Sequence, residues 1–175
     1  MQSVRRLRSS AQSILSIDMH TENANGKPCV SVRIMRTSEH DLPCPQYATS
    51  GAAAFDLRAN TNENVIIPPG KSVAVPTGFA FEIPEGFVGI VCARSGLAAK
   101  NSICLTNGIG VIDSDYRGEV KVLLTNLSEN EFCVTHGMRI AQMMIMPYAA
   151  ARLTETQSLS ETDRGEGGFG STGVK

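Results

Sequence analysis

The chain reads as all-β, a sandwich or a barrel, on three observations. Pro68-Pro-Gly70, Pro76-Thr-Gly78 and Pro84-Glu-Gly86 recur every eight residues with short apolar runs between them, the spacing of turns between short strands. Apolar and polar residues alternate with period two in several segments, as on half-buried strands. No long helical pattern follows the N-terminal stretch; the one helix expected in the body is short.

Taken in order, residues 1–18 carry Arg5, Arg6 and Arg8, five serines and no acid before Asp18, with Val4, Leu7, Ala11, Ile14 and Leu15 at helical spacing. Such a start fits an organelle transit peptide, which would direct mitochondrial import, or equally a disordered tail. Met19 offers an alternative start. Residues 20–27 read as a linker. The chain thus divides into an extension (1–27), a β domain (28–150) and a C-terminal arm (151–175). From Cys29 the period is two: Val30, Val32 and Ile34 alternate with Ser31 and Arg33, a half-buried strand. Pro43 and Pro45 mark a loop. Phe55, Leu57 and Ala59 then alternate with Asp56 and Arg58, so the two charges share the outer face. Strands are expected between the Pro/Gly turns at Val73–Val75 and Phe79–Ile83, then at Gly89–Ala93. Ser95–Lys100 is the short helix, with Ser95 placed to cap it. Asn107-Gly108 suits a tight hairpin turn because glycine takes positive φ at low cost, and Gly110 allows a close backbone approach. Arg117-Gly118 reads as a second turn. Strands follow at Val120–Leu127, Phe132–Thr135 and Met138–Met146, the last closed by Pro147. Beyond Tyr148, residues 151–164 hold two leucines as their only large apolar residues and read as an extended linker.

Composition narrows the function classes. At 175 residues and 42% hydrophobic content the chain can bury one real core. A net charge of −1 gives no global electrostatic case for binding nucleic acid or a membrane, and no apolar run approaches bilayer-spanning length. Cys29, Cys44, Cys92, Cys104 and Cys133 are odd in number and widely spaced. That argues against a zinc site or disulfide framework and for a reducing compartment, the cytoplasm or nucleus unless residues 1–18 direct import.

The glycine-rich end, Arg164 to Lys175, contains Gly165-Glu-Gly167-Gly-Phe-Gly170, which fits a dinucleotide fingerprint and approaches a phosphate-binding loop with Ser171 in the lysine position. Both need a strand before and a helix after, and neither is expected here. The backbone can still wrap phosphates through main-chain N–H groups, and Phe169 alone among glycines can stack on a planar ligand. Ordering about ten such residues costs on the order of 10 kcal/mol, so the arm is expected to close only over a ligand.

Five separated segments carry a resemblance. Ala53-Ala-Phe-Asp56-Leu-Arg-Ala, Ala93-Arg94-Ser95-Gly96-Leu-Ala, Asn107-Gly-Ile-Gly-Val-Ile-Asp113-Ser-Asp-Tyr116-Arg-Gly118, Gly137-Met-Arg139-Ile-Ala-Gln142 and Arg164-Gly-Glu-Gly-Gly-Phe169-Gly-Ser-Thr-Gly173 resemble, in order, the five motifs of the trimeric dUTP pyrophosphatases, or dUTPases. The resemblance implies a distorted jelly-roll barrel or sandwich, a homotrimer with active sites at subunit boundaries, and hydrolysis of dUTP to dUMP and pyrophosphate with Mg2+. That reaction would supply dUMP for dTMP synthesis and limit uracil incorporation into DNA. It further implies that Asp113 deprotonates the attacking water and Tyr116 packs under the deoxyribose. The Asn107–Gly110 stretch, with Val111 and Ile112, would meet the uracil, and Arg94, Ser95 and Gly96 the phosphates. Gln142 would assist at the α-phosphate, and Asp56 would act near the metal through water. Arg164 would meet the γ-phosphate and Phe169, with Gly170 and Ser171, the base and phosphates from a neighbouring subunit. The main chain near Lys121 would lie close to substrate.

Plainer roles stand beside these. Asp56 can simply pair with an arginine on its own face, Arg139 reads as a buried structural partner, Asp115 as a turn former, Cys92, Cys104 and Cys133 as small core hydrophobes, and Met143, Met144 and Met146 as core or trimer packing. Cys92-Ala93 and Met138 depart from the family's usual residues. A deoxycytidine triphosphate deaminase resembles the same fold; the full glycine arm and Asp113-Ser-Asp-Tyr116 favour the dUTPase. The third reading is a nucleotide-binding regulatory protein without catalysis.

Overall fold

The structure is a computed structural model that describes residues 21–22 and 28–168. Twelve strands and one helix are described: β1 (Thr21–Glu22), β2 (Pro28–Cys29), β3 (Arg33–Arg36), β4 (Phe55–Arg58), β5 (Val65–Ile67), β6 (Ser72–Glu82), β7 (Phe87–Cys92), α1 (Ser95–Asn101), β8 (Ile103–Leu105), β9 (Gly110–Ile112), β10 (Glu119–Asn126), β11 (Phe132–Val134) and β12 (Arg139–Pro147). Two four-stranded antiparallel sheets, ordered β3-β6-β10-β8 and β4-β12-β7-β9, enclose the core; β5 pairs with β11 and β1 with β2 as ribbons. The sheets keep separate edges, so the fold is a jelly-roll-like sandwich and not a closed barrel.

Period two decides what faces inward. Phe55 and Leu57 on β4, Val91 on β7, Val120, Val122 and Leu124 on β10, and Met143 on β12 are buried in one cluster, with the Phe55 and Phe81 rings stacked 5.9 Å apart. Asp56 and Arg58 fall on the other face of β4, as their alternation predicts.

In its strands and turns the structure departs from sequence expectation at five places. Residues 21–22 pair with 28–29, so the expected linker is bounded by a small ribbon. The expected strand from Cys29 to Ile34 is broken: β3 starts at Arg33 and is exposed throughout, because it forms the sheet edge and no strand among the described residues pairs with its outer side. Pro76-Thr-Gly78 is not a turn. β6 runs straight through it, and the extra residues form a bulge opposite Val120. Gly78 sits there at φ +76°, its amide donating to the Glu119 carboxylate at 2.7 Å while Thr77 Oγ1, buried, donates to Val120 O at 2.6 Å. Asn107-Gly108 does turn, with Gly108 at φ +72°, but it closes no hairpin: β8 pairs with β10 in one sheet and β9 with β7 in the other. Lastly, the second turn is at Ser114-Asp115, where Tyr116 N bonds Asp113 O at 3.2 Å, and not at Arg117-Gly118.

Candidate active site

A bulge also shapes the fourth motif. Along a regular strand, residues three apart point to opposite faces. On β12 the register slips between Arg139, opposite Arg58, and Ala141, opposite Leu57. Ile140 and Ala141 are consequently both buried, and Arg139 and Gln142 are both turned outward. Gln142 stands directly across from Asp56 on one side and Cys92 on the other. Cys92 therefore lies half-buried on the outer face; Cys104, opposite Thr125, and Cys133 are also only half-buried, so none of the three is a core residue. Of the three methionines, Met143 is fully buried in the core, whereas Met146 is 44% exposed.

On that outer face Asp56 is the hub. Arg94 Nε meets Asp56 Oδ1 at 2.9 Å and Arg139 Nη1 meets Oδ2 at 3.0 Å. Arg94 Nη1 also donates to the Arg139 carbonyl at 3.2 Å, and Gln142 Nε2 to the Ala93 carbonyl at 3.0 Å. The expectation that Asp56 pairs with an arginine thus holds twice over, and Arg139 is its partner, though half-exposed and not buried. Two guanidiniums on one carboxylate leave a local excess of positive charge, suited to an anionic ligand. The cluster stands at the start of α1. Arg94, extended at φ −90°, ψ 125°, occupies the N-cap, and its carbonyl accepts from Leu97 N and Ala98 N. Ser95 is accordingly not the cap but the first helical residue, and no side chain caps the helix. Ser95 and Gly96 are exposed, and helix geometry provides their amides no acceptor within α1.

The Asn107–Gly118 segment builds the second cluster. β9 pairs with β7, placing Gly110 across from Val91 and Val111 across from Ile90. A side chain at Gly110 would meet Val91 Cβ at 3.0 Å, so the close approach expected there is real. Asn107 and Asp113 are exposed, Val111 is 56% exposed and Ile112 is half-buried. Val111, Asp113, Ser114, Asp115 and Arg117 line one wall of an open recess of about 1230 Å³, facing Glu82, Phe87 and Tyr148. Asp115 serves as the turn former expected of it. Arg117 Nη1 closes the turn on Ser114 O at 2.6 Å. Tyr116, 44% exposed, donates its hydroxyl to Glu119 O at 3.0 Å. Lys121 is exposed on β10.

Asp56 on β4 and the segment after β9 belong to the two edges of their sheet, three strand spacings or about 14 Å apart, with Gln142 on β12 and Arg94 after β7 between them. Arg164 is exposed, and its Nε donates to Gly167 O at 2.8 Å within a pair of turns at 162–167. Phe169, Gly170 and Ser171 lie outside the described residues. Sequence reasoning missed Glu119, whose backbone carbonyl and carboxylate serve two different anchors. Nothing in its local pattern distinguishes it from an ordinary strand-end acid.

A β-sandwich with an arginine-clasped carboxylate on one sheet edge and an acidic, tyrosine-bearing segment on the other is the frame of an enzyme that handles phosphorylated ligands. Comparison with known proteins agrees. The dUTPase family profile matches residues 40–173. The deoxyuridine 5'-triphosphate nucleotidohydrolase of Rhizobium etli is 58% identical over 135 residues, 76% of this chain and 86% of that protein. That of Anaplasma marginale is 45% identical over 83% of this chain and 99% of its own length. In three dimensions the dUTPase of Staphylococcus bacteriophage 80alpha, bound to dUpNHpp, superposes with a TM-score of 0.74 at 26% identity, covering 82% of this chain and 99% of the other. A phage phi11 dUTPase variant described with a coordinated structural Mg(II) ion shares the fold, with a TM-score of 0.66 at 21% identity over 74% of this chain and 98% of that one. The chain belongs to the dUTPase family.

Proposed function

We propose that this chain hydrolyses dUTP to dUMP and pyrophosphate as a Mg2+-dependent homotrimer. In doing so it would supply dUMP for dTMP synthesis and keep uracil out of DNA. The observation that carries the reading is the placement of Asp56 and of the Asp113–Tyr116 segment at the two edges of one sheet. A chain that holds these two carboxylate positions about 14 Å apart would be completed by a neighbour supplying the other half. Val111, Met146 and Tyr148, each about half exposed on or beside that sheet, support burial against other copies.

Since pyrophosphate leaves, the bond broken joins the α-phosphorus to the α–β bridging oxygen. Asp113, exposed at the wall of the recess, accepts the proton of the attacking water. Tyr116 lies under the sugar, and the Asn107–Ile112 backbone meets the uracil edge. Arg94 turns from Asp56 toward the phosphates, joined by the Ser95 and Gly96 amides, with Gln142 at the α-phosphate and the Lys121 main chain nearby. Arg164 and Phe169 to Ser171 close over triphosphate and base. Among the described residues no three His, Cys, Asp or Glu side chains converge on a metal position. Mg2+ held chiefly by phosphates and water needs no such cage. Asp56 fits that arrangement, because its two guanidinium bonds use two of about four acceptor positions, leaving others for metal-bound water. Bound there, Mg2+ would act as a Lewis acid that withdraws charge from the phosphates. We place the enzyme in a reducing compartment on the odd number and wide spacing of its five cysteines.

The test is a product assay with dUTP, dTTP, dCTP and UTP, with and without Mg2+. Pyrophosphate from dUTP alone, abolished by chelation, is expected. Ammonia from dCTP without pyrophosphate from dUTP would instead identify a deaminase.

A further inference from the structure

We infer that Gly118 and Glu119 set the discrimination against a ribose 2′-hydroxyl by fixing the Tyr116 ring, and so act as positioning residues for the sugar. The inference rests on Tyr116 being the residue that packs against the sugar. It adds what holds that ring still. A ring excludes a hydroxyl only if it cannot retreat, and Tyr116 stands on an irregular segment between β9 and β10, with 44% of its surface exposed. Packing alone does not immobilise it. Two other constraints do.

The first is steric. Gly118 is not at positive φ, so its backbone makes no demand for glycine. The ring makes that demand. A Cβ at Gly118 would stand 2.4 Å from Tyr116 Oη, 2.6 Å from Cζ and 3.0 Å from Cε2. The hydroxyl end of the ring therefore lies flush on the Gly118 backbone, and any side chain there would displace it by about 1 Å. The second is a tether. Tyr116 Oη donates to Glu119 O at 3.0 Å. Glu119 is anchored in its turn: its carboxylate accepts from Gly78 N at 2.7 Å, and the Gly78 carbonyl accepts from Thr37 N at 3.0 Å and bonds His40 Nε2 at 3.0 Å. The ring is thus tied through two hydrogen bonds, by way of Glu119, to Gly78 in the bulge of β6.

The experiment compares kcat/KM for dUTP and UTP in the intact protein, Gly118→Ala, Tyr116→Phe and Tyr116→Ala, with oligomeric state and melting temperature recorded for each. Because the ring can swing outward, Gly118→Ala should fold as the parent does. It should narrow the dUTP-over-UTP ratio by about tenfold or more, mostly through a rise in kcat/KM for UTP. Tyr116→Phe, which keeps the ring and cuts the tether, should narrow it in the same direction by less. A role in stability alone would lower both substrates together and leave the ratio where it was. An unchanged ratio in both Gly118→Ala and Tyr116→Phe, with Tyr116→Ala collapsing it, overturns the positioning role while leaving Tyr116 as the sugar-reading group. An unchanged ratio in Tyr116→Ala overturns both.

Discussion

Asp56 and Asp113 are both carboxylates, yet their surroundings assign them opposite work. Both Asp56 oxygens are clasped by guanidiniums, which makes it an anchor. Asp113 is exposed on the recess wall with its carboxylate open to a water. Replacing Asp113 by Asn keeps the shape and removes the base. Turnover should fall at least ~100-fold, while dUTP binding, followed by calorimetry, should persist; an unaltered kcat would remove Asp113 from the chemistry. The alternation Phe55-Asp56-Leu57-Arg58 already announced an outward Asp56. The doubling of its arginines was hidden, because Arg94 and Arg139 are 38 and 83 residues away and only strand pairing brings them near.

At the level of elements, glycine punctuation was legible and its meaning was not. Gly70, Gly78 and Gly86 all take positive φ, but only the first and third end strands. Turns and bulges both require that conformation, and the choice for Gly78 is made by distant partners: Glu119 on β10 and His40 in the preceding loop. Gly78→Ala should therefore be costly. It combines strained φ with a Cβ 2.5 Å from His40 Nε2 and 2.7 Å from Asn60 Nδ2, a loss of about 2 kcal/mol or more, read as a melting temperature lower by about 4–8 °C. The loop carrying His40 has a second, weaker fastening in the Asp41–His136 pair at 2.9 Å. The hydrogen bond from His136, followed by the bond from Asp41's own backbone and the His136 charge, holds the Asp41 carboxyl below its ordinary value of 3.8. A depressed carboxyl stabilises the fold above its ordinary range, and that contribution disappears as pH falls through the depressed value. The small difference in melting temperature between the parent and Asp41→Asn should accordingly close as pH drops below about 3.8, and shrink in high salt. A gap that widened in acid would contradict the assignment.

For the whole molecule, the divided site proposed above would make activity a property of the assembly. A chain lacking residues 164–175 should fold and assemble, yet turn over on the order of a thousandfold more slowly. Asp113→Asn should be similarly dead. Mixed one to one after reversible dissociation, the two inactive chains should regain roughly a quarter of the parent's sites, as random pairing of an intact Asp113 with a neighbour's intact arm requires. An arm that served its own chain would give no recovery. The sandwich class and most strands could be read from period two and the Pro/Gly punctuation, and the short helix from the Ser95–Lys100 segment, since those patterns are local. Which sheet each strand joins could not: β8 and β9, five residues apart, part to opposite sheets because β10 and β7 offer each of them an edge, and edges are a property of the folded whole.

The slip at Ile140 has a consequence for how such a site can be lost. Arg139 and Gln142 face the same way only because one surplus residue lies between the two registers. Delete Ile140 and every chemical group of the fourth motif remains, yet Arg139 would be directed into the hydrocarbon interior and Asp56 would keep a single arginine. Here the information resides in a tally of positions and not in an alphabet of side chains. A scan that substituted each residue in turn would never expose it, whereas a scan of single-residue deletions would.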